Sequence, residues 1–325
     1  MDSLNRMAVE LVDEALDFAD ELNIVPRELP SGATVIDFGV DAVGGIEAGL
    51  LLSEIQTAGL ATVQTRMDEV AGAPLPHVEL STDHPAISLL CSQKAGWELA
   101  FDGDDGDGGG SDGEATEPFE GLGAGPARAL VGDEAEFQTV GYYDEFDLTV
   151  LSVESDRLPD GRVASHVADT AGVEESAVFL PSFRTASAVG SVTTAARATE
   201  LALFQLFELG FDPTNVLTAT GTAPVAPVAG DEATALARTN DALAYGGEVY
   251  LRVARDFEGF DRAVSAASDV HGDSFAEVFA AADWEFDEVP TAAFAPAKLT
   301  VDVVGGDTHV IGETDTALLA ESFDL

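Results

Sequence analysis

Residues 188–209 read AVGSVTTAARATELALFQLFEL. The run begins on small residues, contains no proline and stops at Gly210, so it is predicted as one long helix. Arg197 and Glu200 stand three residues apart and share a helix face. The same stripe continues through Phe204 and Phe207, which are large and apolar. The two charges are therefore expected at a partly buried position, where they must be paired. From the pattern alone the pair is either a structural anchor of the helix or a carboxylate held ready by a guanidinium.

Strands flank this helix. SAVFLPSFR (176–184) precedes it, and TNVLTATGTAPVAPVAGD (214–231) follows, a strand running into a loop punctuated by Pro224 and Pro227. Toward the start of the chain, Leu4, Met7, Leu11, Ala15, Phe18 and Leu22 recur at helical spacing between acids, predicting an amphipathic helix over 3–22. PSGATVIDFGV (30–40) gives a turn and a short strand, and GGIEAGLLLSEIQTAGL (44–60) a helix stopped by Gly59. ATVQTRM (61–67) and HVELSTD (77–83) read as strands, as does FQTVGYYDEFDLTVLSVES (137–155). LPDGRVASHVADTAGV (158–173) is a turn and a helix, and KLTVDVV with DTHVIGE forms a terminal hairpin. The segments starting at Val43-Gly44 and Val189-Gly190 echo each other: each passes from small residues into a helix with an acid, then to glycine. That echo is compatible with two α+β halves around a shared cleft.

The chain has 325 residues, 60 Asp+Glu against 14 Lys+Arg, and a formal net charge of −46. A hydrophobic fraction of 46% still supplies packed cores. Only Lys94 and Lys298 are lysines. Such a surface fits a salt-rich cytoplasm, since at about 1 M salt the Debye length falls to ~3 Å and repulsion between carboxylates is screened. Nucleic acid and anionic membranes are excluded as partners for want of a basic patch. No basic leader with an apolar segment and no membrane-length apolar run is present. A soluble cytoplasmic protein is expected.

Cys91 is the single cysteine, which rules out an internal disulfide. It reads as a small buried thiol rather than a nucleophile. His77, His84, His166, His271 and His309 lack metal-ligand spacing, so no metal site is expected. The acidic glycine-rich tract DGDDGDGGGSDGEATEP (102–118) places glycines where a calcium loop needs ligands, and reads as a solvated surface insertion. GLGAGPARAL lacks the GK[ST] of a phosphate loop. Lys94, in STDHPAISLLCSQKAGW (81–97), stands out because this composition leaves few places for lysine to drift in. A retained ammonium supplies hydrogen-bond donors where a carboxylate will not serve.

Taken together, LNRMAVELVDEALDFADEL, GATVIDFGVD, EAGLLLSEIQTAGLATVQ, PLPHVELSTDHPAISLLCSQKAGW, GAGPARAL, ASAVGSVTTAARATE, LFELGFD, APVAPVAGD, TNDALAYGG and FAPAKLTVDVV resemble the methenyltetrahydromethanopterin cyclohydrolase family. They occur in family order across nearly the whole chain. The resemblance implies hydrolysis of the N5,N10-methenyl bridge of a tetrahydropterin, methanopterin or tetrahydrofolate, to the N5-formyl compound, without metal or organic cofactor. It implies that Glu200 is the general base, that Arg197 holds and orients it, and that Lys94 positions water or stabilises the charge rearrangement. Ser81, Asp83, His84, Ser92, Gln93, Ser187, Pro224, Pro227 and Tyr245 are the substrate-binding candidates. Arg184 departs from the family stretch, as does the acidic insertion. The fold implied is α+β, two domains with the substrate cleft between them, assembled as a homotrimer. Their expected extents are 1–145 and 146–325, with the C-terminal segment free to pack back on the first. A non-catalytic pterin-binding protein on the same scaffold is the alternative, and a different hydrolase using Cys91 or His84 a third reading.

Overall fold

The computed structural model describes residues 2–103, 117–285 and 288–325. Most of the acidic tract expected at 102–118 lies outside them. Among the described residues the fold is α+β and built on two mixed sheets, A and B. The strands in chain order are β1 (Val25–Glu28), β2 (Thr34–Gly39), β3 (Thr62–Val70), β4 (Ala73–Thr82), β5 (Ala95–Phe101), β6 (Phe119–Ala124) and β7 (Thr149–Val150). They continue with β8 (Ser152–Glu154), β9 (Val178–Phe183), β10 (Val216–Pro224), β11 (Glu248–Val253), β12 (Lys298–Val303) and β13 (Thr308–Gly312). The helices are α1 (Leu4–Asp17), α2 (Ala19–Leu22), α3 (Ile46–Gln56), α4 (Ala127–Val131), α5 (Ala135–Val140) and α6 (Gly161–Ala171). After them come α7 (Ala188–Ala195), α8 (Ala198–Glu208), α9 (Glu232–Gly246), α10 (Phe275–Ala281) and α11 (Thr316–Ser322).

Sheet A runs β1-β2-β9-β8-β6-β5, with β7 also beside β9; β2, β9 and β8 are parallel. One face packs on α1 and α3 through Ile36, Phe38, Val150 and Phe183. Val35, Leu151, Val153 and Leu180 pack with α6 in a separate core. This is the strand alternation of a sheet buried on both sides. Sheet B runs β13-β12-β11-β10-β4-β3, and only β11–β12 is parallel. Val78, Leu80, Ala219, Val249, Leu251 and Val301 meet α8 on one face. Glu79, Ser81, Thr220, Thr222, Tyr250 and Thr300 alternate with them and are partly or fully exposed.

The expected division at residue 145 crosses both sheets. Sheet A takes β1, β2, β5 and β6 from the first half and β7 to β9 from the second; sheet B takes β3 and β4 from the first and the rest from the second. The β3–β4 hairpin leaves sheet A through α3 and pairs with β10, so long-range pairing, which no local pattern encodes, sets the architecture. The terminal hairpin forms as β12–β13. Helix α11 follows it and packs on α9 and β3, one element from each half. The segment 137–155 is strand only at β7 and β8, and its start belongs to α5.

The helix expected over 3–22 is broken at Phe18, whose dihedrals (−111°, 26°) leave the helical region. The long helix of 188–209 is also two pieces, α7 and α8. Helices α3 and α7 cross at Gly49, where a Cβ would stand 2.7 Å from that of Val192, so only glycine permits the approach.

Candidate active site

Between α7 and α8, Ala196 and Arg197 tighten into a three-residue turn, the Arg197 N–H donating to the Thr194 carbonyl at 2.9 Å. The Ala196 carbonyl at this kink accepts from Gln93 Nε2 at 3.3 Å. The kink makes Arg197 the residue that precedes α8 and puts Glu200 in its first turn, where the helix dipole favours a carboxylate. Arg197 Nε donates to Glu200 Oε2 at 3.0 Å, and Nη2 stands 2.9 Å from the same oxygen as its ion-pair partner. The Glu200 side chain is 1% exposed and that of Arg197 22%. A carboxylate so deeply buried is tolerated because the guanidinium faces it. Among the described residues nothing donates to its second oxygen, Oε1, which leaves an acceptor for a water proton.

Lys94 follows a π-helix, Ala86–Gln93, whose last turn closes with the Lys94 N–H on the Leu89 carbonyl at 2.8 Å. Its ammonium lies 2.9 Å from Glu134 Oε2 and 2.7 Å from Glu136 Oε1. It also stands 4.9 Å from the centroid of Phe204, one turn beyond Glu200 on α8. The lysine thus rests against the helix that carries the Arg197–Glu200 pair, but its ion pairs are with α5 and the residue before it. Arg128, almost wholly buried, fixes this corner: Nε and Nη2 clasp Glu134 at 2.8 and 2.6 Å, and Nη1 donates to the Lys94 and Leu90 carbonyls at 2.7 and 3.2 Å. Burial pushes the Glu134 carboxyl up, but Arg128 and then Lys94 outweigh it and hold it below the ordinary range. Arg128, Glu134 and Glu136 were not among the residues expected from sequence; the visible signal was a solitary arginine in GAGPARAL.

Arg197 also lines a cleft between this kink and sheet A. The floor is two cross-strand rows: Ala95, Ala124 and Ser152, then Leu122, Glu154 and Phe183. Thr193, Thr194 and Arg197 form the opposite wall, and Gln56, the last residue of α3, closes a side. Room for the centres of water molecules is about 10 Å³, inside about 280 Å³ of empty space that includes the mouth. A bicyclic ring enters only if the walls part slightly.

Other expected residues fall in several places. Gln93 reaches the kink, and Ser92 Oγ donates to the Gln56 carbonyl at 2.6 Å, so both adjoin the cleft. Ser187 caps α7, accepting from the Gly190 N–H at 2.9 Å. Asp83 and His84 are exposed just before the π-helix, and Ser81 lies on the open face of sheet B. Pro224 ends β10 opposite His77, with Pro227 in the loop beyond. Tyr245 is buried on α9, donating to the Asp273 carbonyl at 2.6 Å and accepting from the Gly272 N–H at 3.0 Å. Arg184 stands at the surface, 3.9 Å from Glu232. Cys91 is buried, and burial pushes its thiol up to about 12, which removes it as a nucleophile. Among the described residues no group of three His, Cys, Asp or Glu side chains could hold a metal ion, and no helix is long and apolar enough to cross a membrane.

Comparison with known proteins matches the chain to one family. The family model described as Cyclohydrolase (MCH) matches residues 3–323. A methenyltetrahydromethanopterin cyclohydrolase of Halobacterium salinarum is 57% identical over 325 residues, covering 100% of both chains. Enzymes of the same name from Methanospirillum hungatei and Methanocella arvoryzae are each 36% identical over 99% of this chain, and over 99% and 98% of their own. The chain belongs to the cyclohydrolase (MCH) family, that of the methenyltetrahydromethanopterin cyclohydrolases.

Proposed function

We propose that the protein catalyses the reversible hydrolysis of the N5,N10-methenyl bridge of tetrahydromethanopterin to the N5-formyl compound. The observation that carries this reading is Glu200: a buried carboxylate held through one oxygen by Arg197, with the other oxygen unclaimed, beside a cleft that Arg197 lines. The methenyl carbon is cationic, its charge shared over N5 and N10. Water adds through oxygen to that carbon while Glu200 accepts the proton. The adduct then collapses: the hydroxyl loses its proton to become the formyl carbonyl, the C–N10 bond breaks, and N10 takes up a proton. One proton is released overall. Arg197 keeps Glu200 aimed, and Lys94 stabilises the hydroxyl as charge leaves the ring nitrogens.

The relatives' names support methanopterin as the carrier, with tetrahydrofolate the competing substrate to be tested. Family resemblance supports a cytoplasmic homotrimer working without metal or organic cofactor. A binding-only scaffold has no use for a sequestered carboxylate beside a kinked helix start. The test is direct, because the methenyl chromophore absorbs in the near ultraviolet and vanishes on ring opening. Purified protein in molar potassium chloride is expected to bleach methenyl-tetrahydromethanopterin; unchanged absorbance with both methanopterin and folate derivatives refutes the assignment.

A further inference from the structure

Lys94 is held at both ends. Its backbone leaves the π-helix Ala86–Gln93 and leads straight to Ala95, which lines the cleft. Carbonyls at such a helix end have no helical donor. Arg128 Nη1 supplies one, donating to the Leu90 carbonyl at 3.2 Å and to that of Lys94 itself at 2.7 Å. A backbone tie lies beside it, the Gly125 N–H donating to the Ser92 carbonyl at 2.9 Å.

The far end of the side chain is fixed as closely. The ammonium lies 2.7 Å from Glu136 Oε1 and 2.9 Å from Glu134 Oε2, an oxygen that Arg128 Nη2 also holds at 2.6 Å. Gly96 leaves room for this pairing: a Cβ there would stand 3.2 Å from both the ammonium nitrogen and Glu134 Oε2. All three guanidinium nitrogens of Arg128 are engaged, Nε and Nη2 on the carboxylate and Nη1 on the carbonyls. A lysine in its place could not span both, because its donors radiate from one nitrogen. Apolar replacement of buried ion pairs is often neutral or stabilising, so stability alone does not account for the charges gathered here. What they do fix is the reach of a flexible four-carbon stem.

We propose that Arg128 and Glu136 are positioning residues of the reaction, acting through Lys94: the guanidinium pins the backbone from which the lysine departs, and the carboxylate sets where its ammonium comes to rest. The inference rests on the reading above that Lys94 stabilises the adduct, and deepens it. Neither Arg128 nor Glu136 lines the cleft, so removing either slows the step that Lys94 assists and leaves substrate binding in place. A misplacement of about 1 Å in a group that assists the chemistry can cost ~10²-fold in rate.

The experiment follows bleaching of the methenyl substrate by the full-length protein in molar potassium chloride. Glu136→Gln, Arg128→Lys and Gly96→Ala are each measured alone and in the Lys94→Met background. Each alone is expected to lower kcat about tenfold or more, with KM within about threefold of the parent. Once the lysine is gone, the same substitutions should lower kcat by no more than about twofold, because the group they position is absent. Melting curves identify a folding defect; where Arg128→Lys does not fold, Glu136→Gln and Gly96→Ala decide the matter. A merely structural role lowers kcat by the same factor with and without the lysine, and that multiplicative result overturns the proposal. It is also overturned if Glu136→Gln and Gly96→Ala leave kcat within about twofold of the parent while Lys94→Met slows turnover, and the role of Lys94 then stands. Full turnover by Lys94→Met removes the reading of the lysine and this inference with it.

Discussion

The Lys94 ammonium lies 4.9 Å from the centre of the Phe204 ring, and Phe204 follows Glu200 by one turn of α8. The one lysine near the cleft and the proposed base are thus ordered by the same helix, the lysine also tethered to Glu134 and Glu136. Aromatic face and paired carboxylates hold the ammonium in place without sealing it, at 13% exposure.

Replacing Glu200 by Gln keeps the shape and the Arg197 hydrogen bond but removes the proton acceptor. Turnover is expected to fall by about 10²–10⁴-fold, the usual share of a positioned base. Affinity for the N5-formyl product, measured by calorimetry, should change far less. A variant retaining full activity would strip Glu200 of its role.

Lys94→Met should lower kcat about 10- to 100-fold and also destabilise the fold, because Glu136, 5% exposed, is left buried without a counter-charge. That second loss is about 3 kcal/mol. Adding Glu136→Gln should restore most of the melting temperature and none of the activity. Recovery of both together would mean the lysine is only structural.

The cluster also shows what sequence could and could not reveal. Arg197, Glu200 and Lys94 were legible because two sit at helical spacing on an apolar stripe and the third is rare by composition. Glu154, Glu134 and Glu136 were not, because among 60 acids one more carries no signal until the sheet and α5 bring it to a cation or a cleft. Alternating patterns located most strands, yet 137–148 read as strand where Phe137 and Glu136 point inward from the short helix α5. The kink at Ala196–Arg197 was invisible too, since no proline or glycine marks it and the Ala196 carbonyl meets a side chain from residue 93.

Asp241 gives a pH prediction. It is buried on α9, accepting from the Phe275 N–H at 2.8 Å and from Ser322 Oγ at 2.6 Å, and burial pushes its carboxyl up to about 6. The folded state therefore holds this proton more tightly than the unfolded chain, whose value is near 3.8. Its contribution is fully present below pH 4 and is lost as pH rises through 6. Asp241→Asn keeps both hydrogen bonds and loses the buried charge. It should melt higher than the parent above pH 6, by an amount of order 3 kcal/mol, and equally near pH 4. Melting curves across that range check the sign.

Cys91 should resist thiol reagents in the native state, given its burial and the pKa of about 12. Iodoacetamide at neutral pH is expected to leave activity intact and to label only after denaturation. Rapid inactivation that substrate prevents would revive cysteine chemistry.

The chain passes from sheet A to sheet B through α3, returns through the π-helix into β5, and crosses again through α7 and α8. Two lobes stitched by three covalent threads cannot swing like jaws on a single pivot. Admission of a ring is confined to a slight sliding of packed helices, and proteolytic nicking near residue 145 should leave the halves entangled rather than free. The pairing of Arg197 with Glu200 is thus largely in place before any ligand arrives.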